Sequence, residues 1–145
     1  MIRPARSPAA VFQNQRFRIV RYALALASVA LIAFLGLRAS PFMREISWLP
    51  PWVATWADRH WVLRSFVGFF LLGLVWFSLV RRGWRHVGAL CGFATAVEVV
   101  QLWIPRRVYD WRDIAASILG VLAAWAIVAM SVTTKRTMAA KRKNS

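Results

Sequence analysis

The sequence has few of the residues on which most soluble enzymes rely. It contains one cysteine, Cys91, so no intramolecular disulfide can form. The two histidines, His60 and His86, flank apolar runs, and no His/Cys cluster has the spacing of zinc ligands. The chain also lacks a glycine-rich phosphate loop and any Ser/His/Asp or Cys/His arrangement. We therefore expect no metal, no cofactor and no catalytic residue of these kinds.

Acidic residues are scarce as well. Five Asp and Glu stand against 20 Lys and Arg, which gives a formal net charge of +15. Alone, this balance would suggest a nucleic-acid-binding protein, because clustered basic side chains neutralise phosphate. The basic residues instead occur in clumps between long apolar runs, as in the cytoplasmic loops of membrane proteins. With 59% hydrophobic residues, the chain is expected to be an integral membrane protein whose partner is the lipid bilayer, not nucleic acid.

Four apolar runs predict an all-α fold, a polytopic bundle of four transmembrane helices. The expected spans are residues 19–38, 61–80, 87–104 and 111–132, since a bilayer core needs about 20 apolar residues per helix. Together they form one domain, residues 19–132, between basic tails at residues 1–18 and 133–145. Residues 22–37 could instead be the core of a cleaved signal peptide, because a basic stretch precedes them and small residues follow.

Charge predicts the orientation of the four spans. Both tails and the loop at residues 81–86 lie on one side, which then holds thirteen of the twenty basic residues, so both termini are expected in the cytoplasm. On the opposite side, Trp48, Trp52 and Trp56 repeat every four residues around Pro50–Pro51. Indole rings prefer the membrane interface, so this segment is predicted to lie on the outer membrane surface.

Two stripes of small residues predict close helix packing. The third span carries Gly88, Gly92 and Ala96 at intervals of four residues. Ser117, Gly120, Ala123 and Ala124 form a similar face on the fourth span. Small side chains let helix backbones approach each other in a membrane, so each stripe is expected to contact a neighbouring helix.

Glu98 is the acid predicted deepest inside a span, roughly six residues or about 9 Å below its outer end. An acid in hydrocarbon costs several kcal/mol unless it is paired, hydrated or protonated, so it indicates a functional site. Short loops bring the neighbouring helix ends together. Seven residues can therefore converge in a polar pocket that opens to the outer side: Arg64, Glu98, Gln101, Arg107, Asp110, Asp113 and Ser117. Asp58, His60 and Arg106 are further candidates.

The residues around Glu98 are similar to the C-terminal signature of the VanZ-like family. That signature is Glu, two residues, Gln, a Pro/Arg loop, Asp, then Asn four residues later and Gly three after that. The matching run here consists of Glu98, Gln101, Pro105, Arg107, Asp110, Asp113 and Gly120, and Ser117 replaces the Asn. Before the second span the family often has Asp-Lys with a His one turn later, whereas Asp58, Arg59 and His60 are consecutive.

The resemblance implies a protein of the bacterial cytoplasmic membrane, from a family named after a determinant of teicoplanin resistance. We expect the pocket to bind a polar headgroup, either of a lipid-linked envelope precursor or of a lipoglycopeptide, because arginines suit phosphates and the acids and Gln101 suit hydroxyls or amides. Two alternatives stay open. The protein could be a membrane enzyme that modifies an envelope lipid, with Glu98 or Asp113 as general base. It could also be a structural accessory whose polar cluster only holds the bundle together, at about 0.6–2 kcal/mol per hydrogen bond. The sequence does not indicate an oligomeric state.

Overall fold

The computed structural model is an all-helical bundle, and it describes residues 8–38, 40, 42–80, 83–105 and 109–143, with side-chain surroundings between residues 15 and 132. Five α-helices follow one another: α1 (Pro8–Leu37), α2 (Pro51–Arg59), α3 (Trp61–Leu79), α4 (Trp84–Val100) and α5 (Trp111–Lys143). Two short 3-10 helices, Met43–Glu45 and Gln101–Trp103, precede α2 and follow α4.

Four of these helices are long and apolar enough to cross a membrane: Gln15–Leu37, Trp61–Leu79, Trp84–Trp103 and Trp111–Val132. The chain is thus a multi-pass membrane protein, as predicted. The first and last helices are longer than the predicted spans: α1 begins at Pro8 rather than at residue 19, and α5 continues to Lys143 rather than ending at residue 132. The third span begins three residues before the predicted Val87, because Gly83 has extended backbone and is the N-cap of a helix that starts at Trp84.

α3 and α5 form the tightest pair in the bundle. A Cβ atom added to Gly120 would meet backbone atoms of α3, namely Phe66 O, and Phe70 N at 2.9 Å. One Cβ added to Gly73 would lie 2.7 Å from the Cβ of Ala124. The small-residue face of the fourth span therefore contacts α3, which confirms that prediction for Gly120 and Ala124.

The small-residue stripe on α4 has a different environment. Gly88, Gly92 and Ala96 are exposed, and a Cβ on either glycine would have no neighbour within 4 Å. The prediction that this stripe packs against another helix is wrong within the described part of one chain. Helical spacing shows that small residues share a face, but it does not say which face the neighbours occupy.

α1 packs less tightly than the other spans, with 6% of its most apolar window buried. It nevertheless contacts both α3 and α4: the Ile32 side chain reaches Gly68, and Gly36 lies against Val97. Near the opposite end, Arg21 Nη2 donates a 3.4 Å hydrogen bond to the carbonyl of Ser78. The part of α1 from Arg21 to Gly36 therefore contacts the bundle near both of its limits.

The bundle has two ends, which we call the α2 end and the Gly83 end. The α2 end holds Leu37, Trp61, Val100 and Trp111, the last or first residues of the long helices. Below it, an apolar cluster fills the middle of the bundle: Phe69, Leu72, Phe77, Val87, Leu90, Ala94, Val121, Ala124 and Val128. The polar buried side chains Glu98, Gln101 and Ser117 lie nearer the α2 end, so the two halves of the bundle differ in polarity.

Candidate functional site

A cavity of about 110 Å³ lies between α1, α3, α4 and α5, close to the α2 end. Its polar lining comes from three helices: Arg64, Ser65, Glu98, Gln101 and Asp113. Its apolar lining includes Ile32, Leu35, Gly36, Met43, Gly68, Phe69 and Val97. The structure thus brings together four residues that the sequence predicted as one cluster, Arg64, Glu98, Gln101 and Asp113.

The end of α4 places an acid and an amide beside each other. Glu98 and Gln101 are 4% and 5% exposed, and they lie three residues apart on one helical face. The α-helix gives way to a 3-10 helix at Gln101, so the chain stays helical long enough to keep both side chains on the cavity. Both are therefore withdrawn from lipid and turned into the protein.

The start of α3 supplies the cation. Arg64 is the fourth residue of α3, is half-buried and lines the cavity next to Ser65. Ser65 Oγ donates a 3.3 Å hydrogen bond to the carbonyl of Trp61, and its lone pairs can still accept a hydrogen bond. Arg64, Glu98 and Asp113 each interact with another group of the protein.

Two aspartates at the start of α5, Asp110 and Asp113, have different roles. Asp113 lines the cavity. Asp110 Oδ1 instead accepts a 2.9 Å hydrogen bond from the N–H of Arg112, and the Asp110 carbonyl accepts one from the N–H of Asp113 at 3.0 Å. This is the geometry of a helix N-cap. Asp110 therefore fixes the start of α5, and through it the position of Asp113, without lining the cavity.

Ser117 lies one turn below Asp113 and is fully buried, at 0% exposure. It does not line the cavity. It shares a helix face with Gly120, three residues on, which packs directly on α3. Ser117 Oγ has no hydrogen-bond partner in the described part of the chain. The structure therefore places Ser117 in the packed body of α5, beneath the cavity.

Asp58 lies outside the cavity and holds the connection above it. Its Oδ1 accepts a 2.6 Å hydrogen bond from the N–H of Met43, and its Oδ2 accepts from Nε of Arg44 at 3.1 Å. Burial raises the pKa of Asp58, but the hydrogen bonds from Met43 and Arg44 and the Arg44 charge outweigh it and lower the pKa below the ordinary 3.8. Met43 lines the cavity, so Asp58 positions one part of its wall.

His60 also lies apart from the cavity. Its ring stacks on Trp56 with centroids 5.7 Å apart, and its Nδ1 lies 3.1 Å from the Trp56 carbonyl oxygen. Asp58 and His60 therefore belong to the α2 segment rather than to the Glu98 cluster. Arg106 and Arg107, the remaining candidates, lie outside the described residues.

Sequence reasoning missed the contributions of α1 and of the 3-10 helix Met43–Glu45 to the cavity. α1 supplies Ile32, Leu35 and Gly36, which look like any other apolar residues of a membrane span. Arg38 follows two residues after Gly36 and is half-buried with an interaction partner. The signal that could have drawn attention to it is a cation directly after an apolar run, at the same end as Glu98.

The cavity offers both signs of charge and both hydrogen-bonding roles. Arg64 donates to phosphate or carboxylate, the two carboxylates accept from hydroxyl, amide or ammonium groups, and Gln101 can do either. The described residues contain no group of three or more His, Cys, Asp or Glu placed to hold a metal ion. The arrangement can thus bind a small, polar group of mixed hydrogen-bonding character.

Comparison with known proteins gives one result. The family model described as VanZ/LLP1 matches residues 2–132, which include all four spans and every residue of the cavity. No curated protein matches the chain, and no solved structure matches it.

Proposed function

Because the chain belongs to the VanZ/LLP1 family, we propose that it binds the polar headgroup of a lipid-linked molecule of the bacterial cell envelope in the cavity beside Glu98. The headgroup belongs either to a lipid-linked precursor or to a lipoglycopeptide such as teicoplanin. The observation that carries this proposal is a cavity lined by Arg64, Glu98, Gln101 and Asp113 inside a membrane-spanning bundle.

The physical argument concerns the cost of burying these groups. A polar network in the hydrocarbon layer adds only about 0.6–2 kcal/mol per hydrogen bond. Burying charge costs several kcal/mol, so stability alone is a weak reason to keep two acids and an arginine there. Ligand binding explains why these groups are kept, because a polar ligand in the cavity beside them can replace water at these groups.

The volume limits what can enter. About 110 Å³ holds several water molecules, each with a share of about 30 Å³ in the liquid. A phosphate or part of one sugar fits this space, whereas a whole glycopeptide does not. The lipid tail and the rest of the headgroup remain outside, along the surface of the bundle.

The ligand enters from the α2 end, which we place at the outer leaflet of the cytoplasmic membrane. Twelve of the twenty Lys and Arg lie in the two tails and the loop at residues 81–86, and Arg21 near the start of the first span makes thirteen on that side. Basic residues collect on the cytoplasmic side. Both termini are then cytoplasmic. Trp48 and Trp52, which are exposed at the α2 end, suit the interface of the outer leaflet.

The test uses bacterial cells that lack the protein and express Glu98→Gln, Ser65→Leu or the matched control Glu45→Gln. Glu45 is an exposed acid at the same end of the bundle and does not line the cavity. Membrane abundance, teicoplanin sensitivity and the lipids that co-purify with the protein are measured. Glu98→Gln removes a carboxyl group and Ser65→Leu fills the cavity, so both should lose the bound lipid and the phenotype at normal abundance.

Three results would contradict the proposal. Loss of abundance in parallel with loss of phenotype would mean that the polar cluster only holds the bundle together. Equal effects of Glu98→Gln and Glu45→Gln would mean that the cavity is not the binding site. A lipid species that is formed or consumed only when Glu98 is intact would point to an enzyme instead.

A further inference from the structure

A second concave surface lies on the other side of α3. It is a groove of about 490 Å³. Arg59, His60 and Trp61 line its upper part, and it continues along α3 and α5 over Val62, Leu63, Phe66, Ala116 and Leu119. None of these residues lines the Glu98 cavity. The groove is therefore a separate feature with a polar rim and an apolar floor.

Arg59 and His60 also line a neighbouring groove along α2. Pro51, Trp52, Thr55 and Trp56 form its remaining wall. Trp52 is 77% exposed, and Trp61, which lines the first groove, is exposed as well. Exposed indoles at the end of a transmembrane bundle lie at the level of the lipid headgroups. Arg59 and His60 are thus at headgroup depth, where two grooves meet.

The positive charge of Arg59 is not neutralised by Asp58, its neighbour in sequence. Asp58 is turned away from the grooves: its side chain is 7% exposed, and both of its oxygens accept hydrogen bonds from Met43 or Arg44. Among the residues that the structure describes, no acid lines either groove. The ligand that suits Arg59 is therefore an anion. Arginine binds phosphate with charge-assisted hydrogen bonds.

The hydrogen bond of His60 fixes which of its ring nitrogens faces a ligand. A carbonyl oxygen only accepts, so the contact between Nδ1 and Trp56 O makes Nδ1 the N–H donor. In that tautomer Nε2 is the acceptor of the ring. The stacking on Trp56 holds the ring in this orientation. A hydroxyl group next to a phosphate is the natural partner of an arginine and an Nε2 acceptor side by side.

From this geometry we propose that Arg59 and His60 form a binding site for an anionic glycerophospholipid. Arg59 binds the phosphodiester, His60 Nε2 accepts a hydrogen bond from a headgroup hydroxyl, and one acyl chain lies along the groove between α3 and α5. The lipid comes from the bilayer leaflet at the α2 end. This site is distinct from the one proposed for the envelope headgroup.

The test is native mass spectrometry of the full chain, purified and stripped of lipid. The probes are phosphatidylglycerol, phosphatidylcholine and phosphatidylmethanol with identical acyl chains. Phosphatidylglycerol should bind most tightly. Arg59→Gln should weaken it about fivefold, because a basic residue near the membrane surface contributes about that factor. His60→Phe keeps a stacked ring but should lose the preference for phosphatidylglycerol over phosphatidylmethanol, which lacks the hydroxyl.

Arg112→Gln is the matched control. Arg112 is exposed near the same end, lies over the ring of Trp111 at 6.0 Å and does not line the groove, so this variant should bind like the wild type. Glu98→Gln should also bind phosphatidylglycerol normally, which separates this site from the cavity. Equal weakening by Arg59→Gln and Arg112→Gln, or equal binding of phosphatidylglycerol and phosphatidylcholine, would overturn the proposal.

Discussion

Replacing Gly120 with alanine should destabilise the bundle, because the added methyl group has no space between α3 and α5. The new Cβ would lie 2.9 Å from Phe70 N and closer still to Phe66 O. Both are backbone atoms that cannot rotate away, so the helices must separate by roughly an ångström to bring the closer of the two contacts to an ordinary distance. Overpacking of this kind costs about 1–3 kcal/mol, and the upper end applies where the backbone must move.

Alanine has an opposing benefit, since it favours a helix over glycine by about 0.5–1 kcal/mol. We therefore expect Gly120→Ala to lower the free energy of unfolding by about 2 kcal/mol. The same substitution at Gly88 or Gly92 meets nothing within 4 Å, so it should be neutral or stabilising by up to about 1 kcal/mol.

Reversible unfolding in mixed micelles, followed by the fluorescence of the nine tryptophans, measures all three variants on the same scale. The predicted result is a difference in sign between Gly120→Ala and the two α4 variants. If Gly120→Ala were as stable as Gly88→Ala, the close approach of α3 and α5 would be wrong. The explanation that the small residues on α5 allow this packing would then be wrong as well.

The remaining predictions concern two aspartates at the α2 end. Asp58→Ala should lower the free energy of unfolding by about 1.5–3 kcal/mol, since its carboxylate accepts a partly buried backbone hydrogen bond. Arg44→Ala should lower it by at most about 1 kcal/mol, because that side chain is 64% exposed; equal losses would contradict this. The lowered pKa of Asp58 means that its stabilisation is present above about pH 3.8 and disappears as the pH falls through the folded-state value. The stability difference between wild type and Asp58→Asn should therefore be constant near neutral pH and shrink below pH 3.8. Asp110→Ala should cost about 1 kcal/mol through loss of the N-cap, and Asp110→Asn much less; equal losses in the thermal unfolding of the two variants would argue against capping.

The four spans could be predicted from sequence because each is a long apolar run, and a bilayer allows few other structures for such a run. The grouping of Glu98, Gln101 and Asp113 followed from helical spacing and a short loop, both of which are local features. Asp110 was harder to place. Whether an aspartate at the start of a helix caps it or faces a cavity depends on one side-chain rotation, which sequence spacing does not determine.

Long-range contacts account for the other differences. Nothing local marks Gly36 or Met43 as cavity residues, because their roles arise from contacts with α4 and α2 far away in sequence. The two small-residue stripes look equivalent in sequence, yet only the one on α5 is covered by a neighbouring helix. Periodicity predicted which residues share a face, but the choice of partner depended on the whole bundle.

The position of Phe69 has a consequence for transport. This residue belongs both to the wall of the cavity and to the apolar cluster beneath it. From Phe69 to the end of α3 at Leu79 is about 15 Å of helix, and packed hydrocarbon side chains fill the bundle along it. Among the described residues the cavity therefore ends at an apolar floor. If the cavity binds a headgroup as we propose, the ligand stays at the α2 end of the bundle, which fits binding better than transport across the membrane.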